Sequence, residues 1–143
     1  MITVRVGSEI AEREGDRHVI DDHIERLRTL VQRGRLQNKI RDQTEHAQYI
    51  LEAIATLAKE GELPARSKEI QTVYETVADA HGASPLTTLK SVQDRLSDLH
   101  MLGFLIRHEQ NQGRSGGQYY EYELDLDPNI VVQTRKKIAE QTR

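Results

Sequence analysis

The stretch from Ser84 to Leu124 constrains the chain most, because its hydrophobic period changes from helical to alternating within one short span. Its first part, SPLTTLKSVQDRLSDLHMLG, places Leu89, Val92, Leu96 and Leu99 on one side of a helix. Thr87 or Thr88 suits the start of that helix, since a threonine oxygen accepts from the unpaired amides of the first turn. Gly103 suits its end, by entering the left-handed backbone region. FLIRHEQ then reads as a strand, NQGRSGG as a turn, and QYYEYELDL as a second strand with Tyr120, Tyr122 and Leu124 alternating onto one face. The stretch predicts a helix with one free polar face, followed at once by a glycine-tipped hairpin.

The flanking segments supply helices. TEHAQYILEAIATLAKEGEL puts Ala47, Ile50, Leu51, Ile54, Leu57 and Ala58 on one face, ending at Gly61. Pro64 marks a turn, Ser67 is placed to cap, and SKEIQTVYETVADAHGA is again 3.6-periodic through Ile70, Val73, Tyr74, Val77 and Ala78. After the hairpin, Asp127 caps and Pro128 opens a closing helix with Ile130, Val131 and Ile138 inward. At the amino end, residues 2–14 read as the tail of one helix and Gly15-Asp16 as a break. DDHIERLRTLVQRGRLQNKIRDQ reads as a second helix with Ile24, Leu27, Leu30 and Val31 on one face. Two helices of that size cannot enclose a core. The expected fold class is mainly α with a β-hairpin wing: a winged helix-turn-helix over residues 44–143, preceded by two helices over residues 1–43.

Composition narrows the function. A formal net charge of -3 argues against a protein that coats nucleic acid indiscriminately, yet leaves room for a local basic face. The absence of cysteine excludes disulfides, a thiolate nucleophile and cysteine zinc sites. The six histidines are scattered, so no metal is expected. GxxxxGK[ST], GxSxG and HExxH are all missing, and the carboxylates sit among opposite charges on helix faces. With no apolar run long enough to span a bilayer and no signal-peptide pattern, a soluble intracellular, non-enzymatic protein is expected, cytoplasmic and nucleoid-associated.

The candidate contact residues follow from the helix and the wing. On the helix, Thr87, Thr88, Lys90, Ser91, Gln93 and Arg95 are the partners expected for phosphates and base edges, against the alternative of a merely solvated face. Asp94 and Asp98 confine contact to its amino-terminal end. On the wing, Gly113, Arg114, Ser115, Gly116 and Gln118 form an arginine tip of the kind that enters a minor groove, against the alternative of a plain hairpin loop. Double-stranded DNA is the expected partner. The rival readings are a transcription regulator whose amino-terminal helices dimerise, and a winged helix that binds protein, for which the net acidity speaks.

VQDRLSDLHMLGFLIR followed by NQGRSGGQYYEYELD resembles the C-terminal winged-helix domain of the archaeal origin-recognition initiators, relatives of the eukaryotic origin recognition complex and cell division control proteins. DRLSDLHMLG and GRSGGQYYEYEL are its specific parts, and ILEAIATLAKEG fits as well. Residues 1–43, with EIAEREG and DDHI, are similar to the end of the lid in that family's AAA+ ATPase module. The resemblance implies recognition of replication-origin DNA, other replication proteins as further partners, and ATP held by an upstream module. Its ATP-site motifs are absent here, so no cofactor is expected, and the chain reads as a carboxy-terminal piece or a naturally shortened paralogue. Many members carry two adjacent arginines after the capping threonine, where this sequence has Lys90 and Ser91; the wing arginine is kept as Arg114.

Overall fold

The computed structural model describes the backbone of residues 2–111 and 118–142, and the side chains of residues 20–111 and 118–141. The described residues form five helices and one small sheet in the order α1 (Ile2–Arg41), α2 (Glu45–Lys59), β1 (Ala65–Arg66), α3 (Ser67–Ala80), α4 (Leu89–Met101), β2 (Leu105–Asn111), β3 (Gln118–Leu124) and α5 (Pro128–Thr142). Residues 1–36 and 37–143 form two compact units.

Within residues 37–143, α2 is the centre. Its apolar stripe is buried almost completely, with Ile50, Leu51, Ile54 and Leu57 at most 3% exposed. Thr44 caps it by accepting from Ala47 N–H at 3.3 Å. Against α2 pack Ile70, Tyr74 and Ala78 of α3, Val92, Leu96 and Leu99 of α4, and Ile130 and Val131 of α5, all buried. The end of α1 belongs to this core: Ile40 is fully buried, and Gln48 of α2 donates to the carbonyls of Arg41 and Gln43 that close the α1–α2 turn. A polar layer joins α5 to α2, where Arg135 donates to Gln48 Oε1 at 2.7 Å and lies 3.4 Å from Glu52, which also meets His81 at 3.1 Å.

The winged-helix class is as expected, with three local corrections. The two helices expected over residues 1–43 are one: α1 runs from Ile2 to Arg41 without a break at Gly15-Asp16. A lone helical glycine costs about 1 kcal/mol, too little to interrupt a helix with good formers on both sides. Ser67 does not cap α3; Arg66 holds that position in extended conformation with no side-chain cap bond, and Ser67 is buried inside the first turn. The reason is a strand too short to read from sequence. Ala65 and Arg66 pair antiparallel with Tyr122 and Glu121, making a three-stranded sheet in the order β1-β3-β2.

Candidate nucleic-acid interface

The geometry of α4 is set at both ends. At its start Thr88 accepts from Ser91 N–H at 3.1 Å, and the two hydroxyls are 2.7 Å apart. The preceding loop is pinned from the core: the buried Tyr74 hydroxyl accepts from Leu86 N–H at 2.7 Å and is also hydrogen-bonded to His46 Nδ1 at 2.8 Å. At the far end Gly103 adopts φ +88, a conformation that disfavours any residue with a Cβ, and Phe104 N–H returns to Leu99 O at 3.0 Å. Lys39, from the last turn of α1, donates to Leu102 O and lies over the Phe104 ring at 5.2 Å. The helix is therefore held while its outer face stays open.

That face borders the sheet. β2 and β3 pair in register from Leu105↔Leu124 to Asn111↔Gln118. Between α4 and β3 runs an open groove of about 520 Å³, with Leu89, Gln93, Asp94 and Ser97 on the helix side, Gln118, Tyr119 and Tyr120 on the strand side, and Arg66 and Lys68 also in its lining. The Arg66 guanidinium lies 3.5 Å from the centroid of the Tyr119 ring, and Arg107 lies 4.4 Å from that of Tyr120. Arginine side chains from β1 and β2 thus lie against tyrosine rings of β3.

The candidate residues fall into three groups. Gln93 and Gln118 are brought together across the groove, both exposed, and Lys90 is exposed on the open face of the helix beside it. Thr88 and Ser91 are occupied with capping, so their hydroxyls hold the helix start; Thr87 is exposed just before it. Arg95 is half-buried and does not line the groove. Gly113, Arg114, Ser115 and Gly116 lie outside the described residues.

Sequence reasoning missed Arg66 and Lys68. Their signal was two cations in three residues just after Pro64, but only the pairing of β1 with β3 carries them to the groove. The charge there is mixed: Arg66 and Lys68 from β1 and the start of α3, Asp94 on the helix wall, and Asp98 one turn further along α4. A polyanion would engage the start of α3 and the first turns of α4 rather than the whole length of α4. Among the described residues no group of three or more histidines and carboxylates is arranged to hold a metal, and no helix is long and apolar enough to cross a membrane.

Comparison with known proteins agrees with this architecture. The family described as "CDC6, C terminal winged helix domain" matches residues 38–134. The ORC1-type DNA replication protein 8 of Halobacterium salinarum is 44% identical over 113 residues, covering 79% of this chain and 28% of that protein. The ORC1-type DNA replication protein 11 of Haloarcula marismortui is 34% identical over 122 residues, covering 85% of this chain and 29% of that protein. The chain therefore spans under a third of the length of these relatives. Among solved structures, the Aeropyrum pernix ORC1 protein in complex with DNA superposes with a TM-score of 0.67 at 29% identity, covering 79% of this chain and 29% of that one.

Proposed function

Because this chain belongs to the family of the CDC6 C-terminal winged-helix domain, we propose that residues 37–143 are a module that binds duplex DNA, origin DNA first among its targets. The observation that carries this reading is the groove between α4 and β3, open to solvent, lined by amide and hydroxyl side chains and flanked by Arg66, Lys68 and Lys90. On this reading α4 enters the major groove from its amino-terminal end, where Gln93 and Lys90 face base edges. Lys68 and Arg66 take phosphates of the adjoining strand, and the hairpin carries Arg114 toward the minor groove. The likeness to an ORC1 protein in complex with DNA supports a DNA-binding role for the module. The module acts by binding, with no cofactor and no chemistry of its own.

The test is a titration of origin-like and random duplexes at several salt concentrations, read by fluorescence anisotropy. Affinity should fall with salt at a log-log slope of roughly -0.9 per phosphate contacted. Lys68→Ala and Lys90→Ala should each reduce the slope by about one contact, and Arg114→Ala should weaken binding to every sequence alike. Gln93→Ala should instead narrow the gap between the origin-like and random duplexes, by about 1–3 kcal/mol if it makes a bidentate base contact. A slope near zero, or indifference to all four changes, would exclude this surface.

A further inference from the structure

Asp94 is an exposed carboxylate on the helix wall of the groove. Among the described residues no cation and no hydrogen-bond donor meets its side chain. Lys90 stands one turn before it, yet the two form no ion pair. Asp94 lies in the second turn of α4, too far along to cap the helix or to gain much from its dipole, and Thr88 already caps that end. Turned toward the phosphates of a duplex, an unpaired carboxylate weakens attraction to every sequence. Asp98, one turn further on, is equally exposed but does not line the groove.

We propose that Asp94 determines sequence specificity by accepting from the N4 amino group of a cytosine in the major groove; this rests on the DNA-binding reading above and sharpens it. An ionised carboxylate can only accept. Guanine presents N7 and O6 there and thymine presents O4, so both repel it. Adenine offers its N6 amino group, but the N7 acceptor lies beside that donor. Cytosine alone shows a donor with no acceptor next to it. Gln93, the neighbour of Asp94 on the same wall, has an amide that both donates and accepts, so the two side chains make different demands on adjacent base pairs. The contact with cytosine offsets the repulsion from the phosphates, and no other base does. Asp94 therefore discriminates by weakening binding to wrong sequences as well as by holding the right one. Asp98 carries the same charge outside the groove and has no base to read.

Selection from a pool of randomised duplexes with the 143-residue protein should yield a preferred site holding a fixed C·G pair. Selection with Asp94→Ala should leave that one position open and keep the others; alanine at an exposed helical position does not threaten the fold. Fluorescence anisotropy then measures the contact. Replacing the cytosine by thymine should cost the parent about tenfold in affinity and the variant almost nothing. A 2-pyrimidinone in its place lacks only the amino group and should cost the parent about tenfold more than the variant, a double comparison that cancels its weaker base pairing. Random duplexes should bind Asp94→Ala more tightly than they bind the parent. Asp98→Ala should share that gain and keep the preference for cytosine. A parent with the expected salt slope whose preferred site Asp94→Ala shares unchanged would overturn the assignment and leave the DNA-binding reading standing. So would an equal loss of preference in Asp98→Ala, which would make the effect one of net charge. Binding by the parent that ignores salt would overturn both.

Discussion

α2 and the carboxy-terminal half of α1 are written in the same hydrophobic language and have opposite fates. Both carry large aliphatic residues at three- and four-residue intervals. In α2 these are Ile50, Leu51, Ile54 and Leu57, at most 3% exposed; in α1 they are Ile20, Ile24, Leu27 and Val31, at least 42% exposed. Periodicity states which face of a helix needs a neighbour. It does not state where the neighbour comes from. α2 finds its cover in α3, α4 and α5, supplied within residues 37–143, whereas the α1 row finds none among the described residues.

The sharpest way to break this comparison is to put the same charge into both rows. Ile54→Asp buries a carboxylate at a fully buried position that has no polar partner for it, and should cost more than about 4 kcal/mol, enough to unfold a domain of ordinary stability. Leu27→Asp should change the stability of the isolated monomer by less than about 0.5 kcal/mol, because its site is already 60% solvated. Urea unfolding at low protein concentration, below the range of any self-association, reads both. Similar losses at the two positions would mean that the α1 row is covered after all.

The same contrast explains what could be read from the sequence. α2, α3, α4 and α5 and the hairpin strands were legible because each carries its own period, and Thr88, Asp127 and Gly103 mark ends by local chemistry that acts within a few residues. β1 was not legible: two residues have no period, and their strand character comes wholly from Tyr122 and Glu121 on a distant segment. Arg66 and Lys68 were missed for that reason. The groove they close is a product of tertiary pairing, and Lys90 and Gln93 could be named in advance only because they share one helix face. The continuity of α1 was missed by giving Gly15 more breaking power than a single glycine has in a long helix.

Polar groups sharpen the comparison next. The covered face of α2 includes Gln48 and Tyr49, and Arg135 of α5 reaches both, donating to Gln48 and lying 5.0 Å from the Tyr49 ring centroid. Arg135→Ala would strip the buried Gln48 Oε1 of its donor and leave Glu52 with His81 alone. About 2–4 kcal/mol should be lost, toward the lower end because Glu52 keeps some solvent contact. Arg135→Met keeps most of the volume and should recover part of the loss. A change below about 0.5 kcal/mol, measured by the same unfolding method, would show that this polar layer adds nothing to what the aliphatic face provides.

The smallest effect is the most diagnostic, because its sign reverses with pH. Tyr49 is 2% exposed, and its hydroxyl donates to Glu45 Oε1 at 2.6 Å. Burial, reinforced by the Glu45 hydrogen bond and charge, pushes its pKa up to about 12 from an ordinary value near 10. A folded-state pKa above the unfolded one means that the folded form holds the proton more tightly. The stabilisation is complete below pH 10 and drains away as pH rises to about 12. At roughly 1.4 kcal/mol per pH unit, the loss over that window is about 2–3 kcal/mol. Tyr49→Phe removes the titration together with the Glu45 bond, so at neutral pH it should be less stable than the parent by about 1 kcal/mol. Above about pH 11 the order should invert, since the other alkaline titrations are common to both proteins and cancel in the difference. Denaturation of the two proteins side by side from pH 8 to 12 reads the crossing. Parallel curves would mean that Tyr49 ionises as freely in the folded chain as in the unfolded one, and that this face of α2 is wetter than the buried aliphatic row beside it.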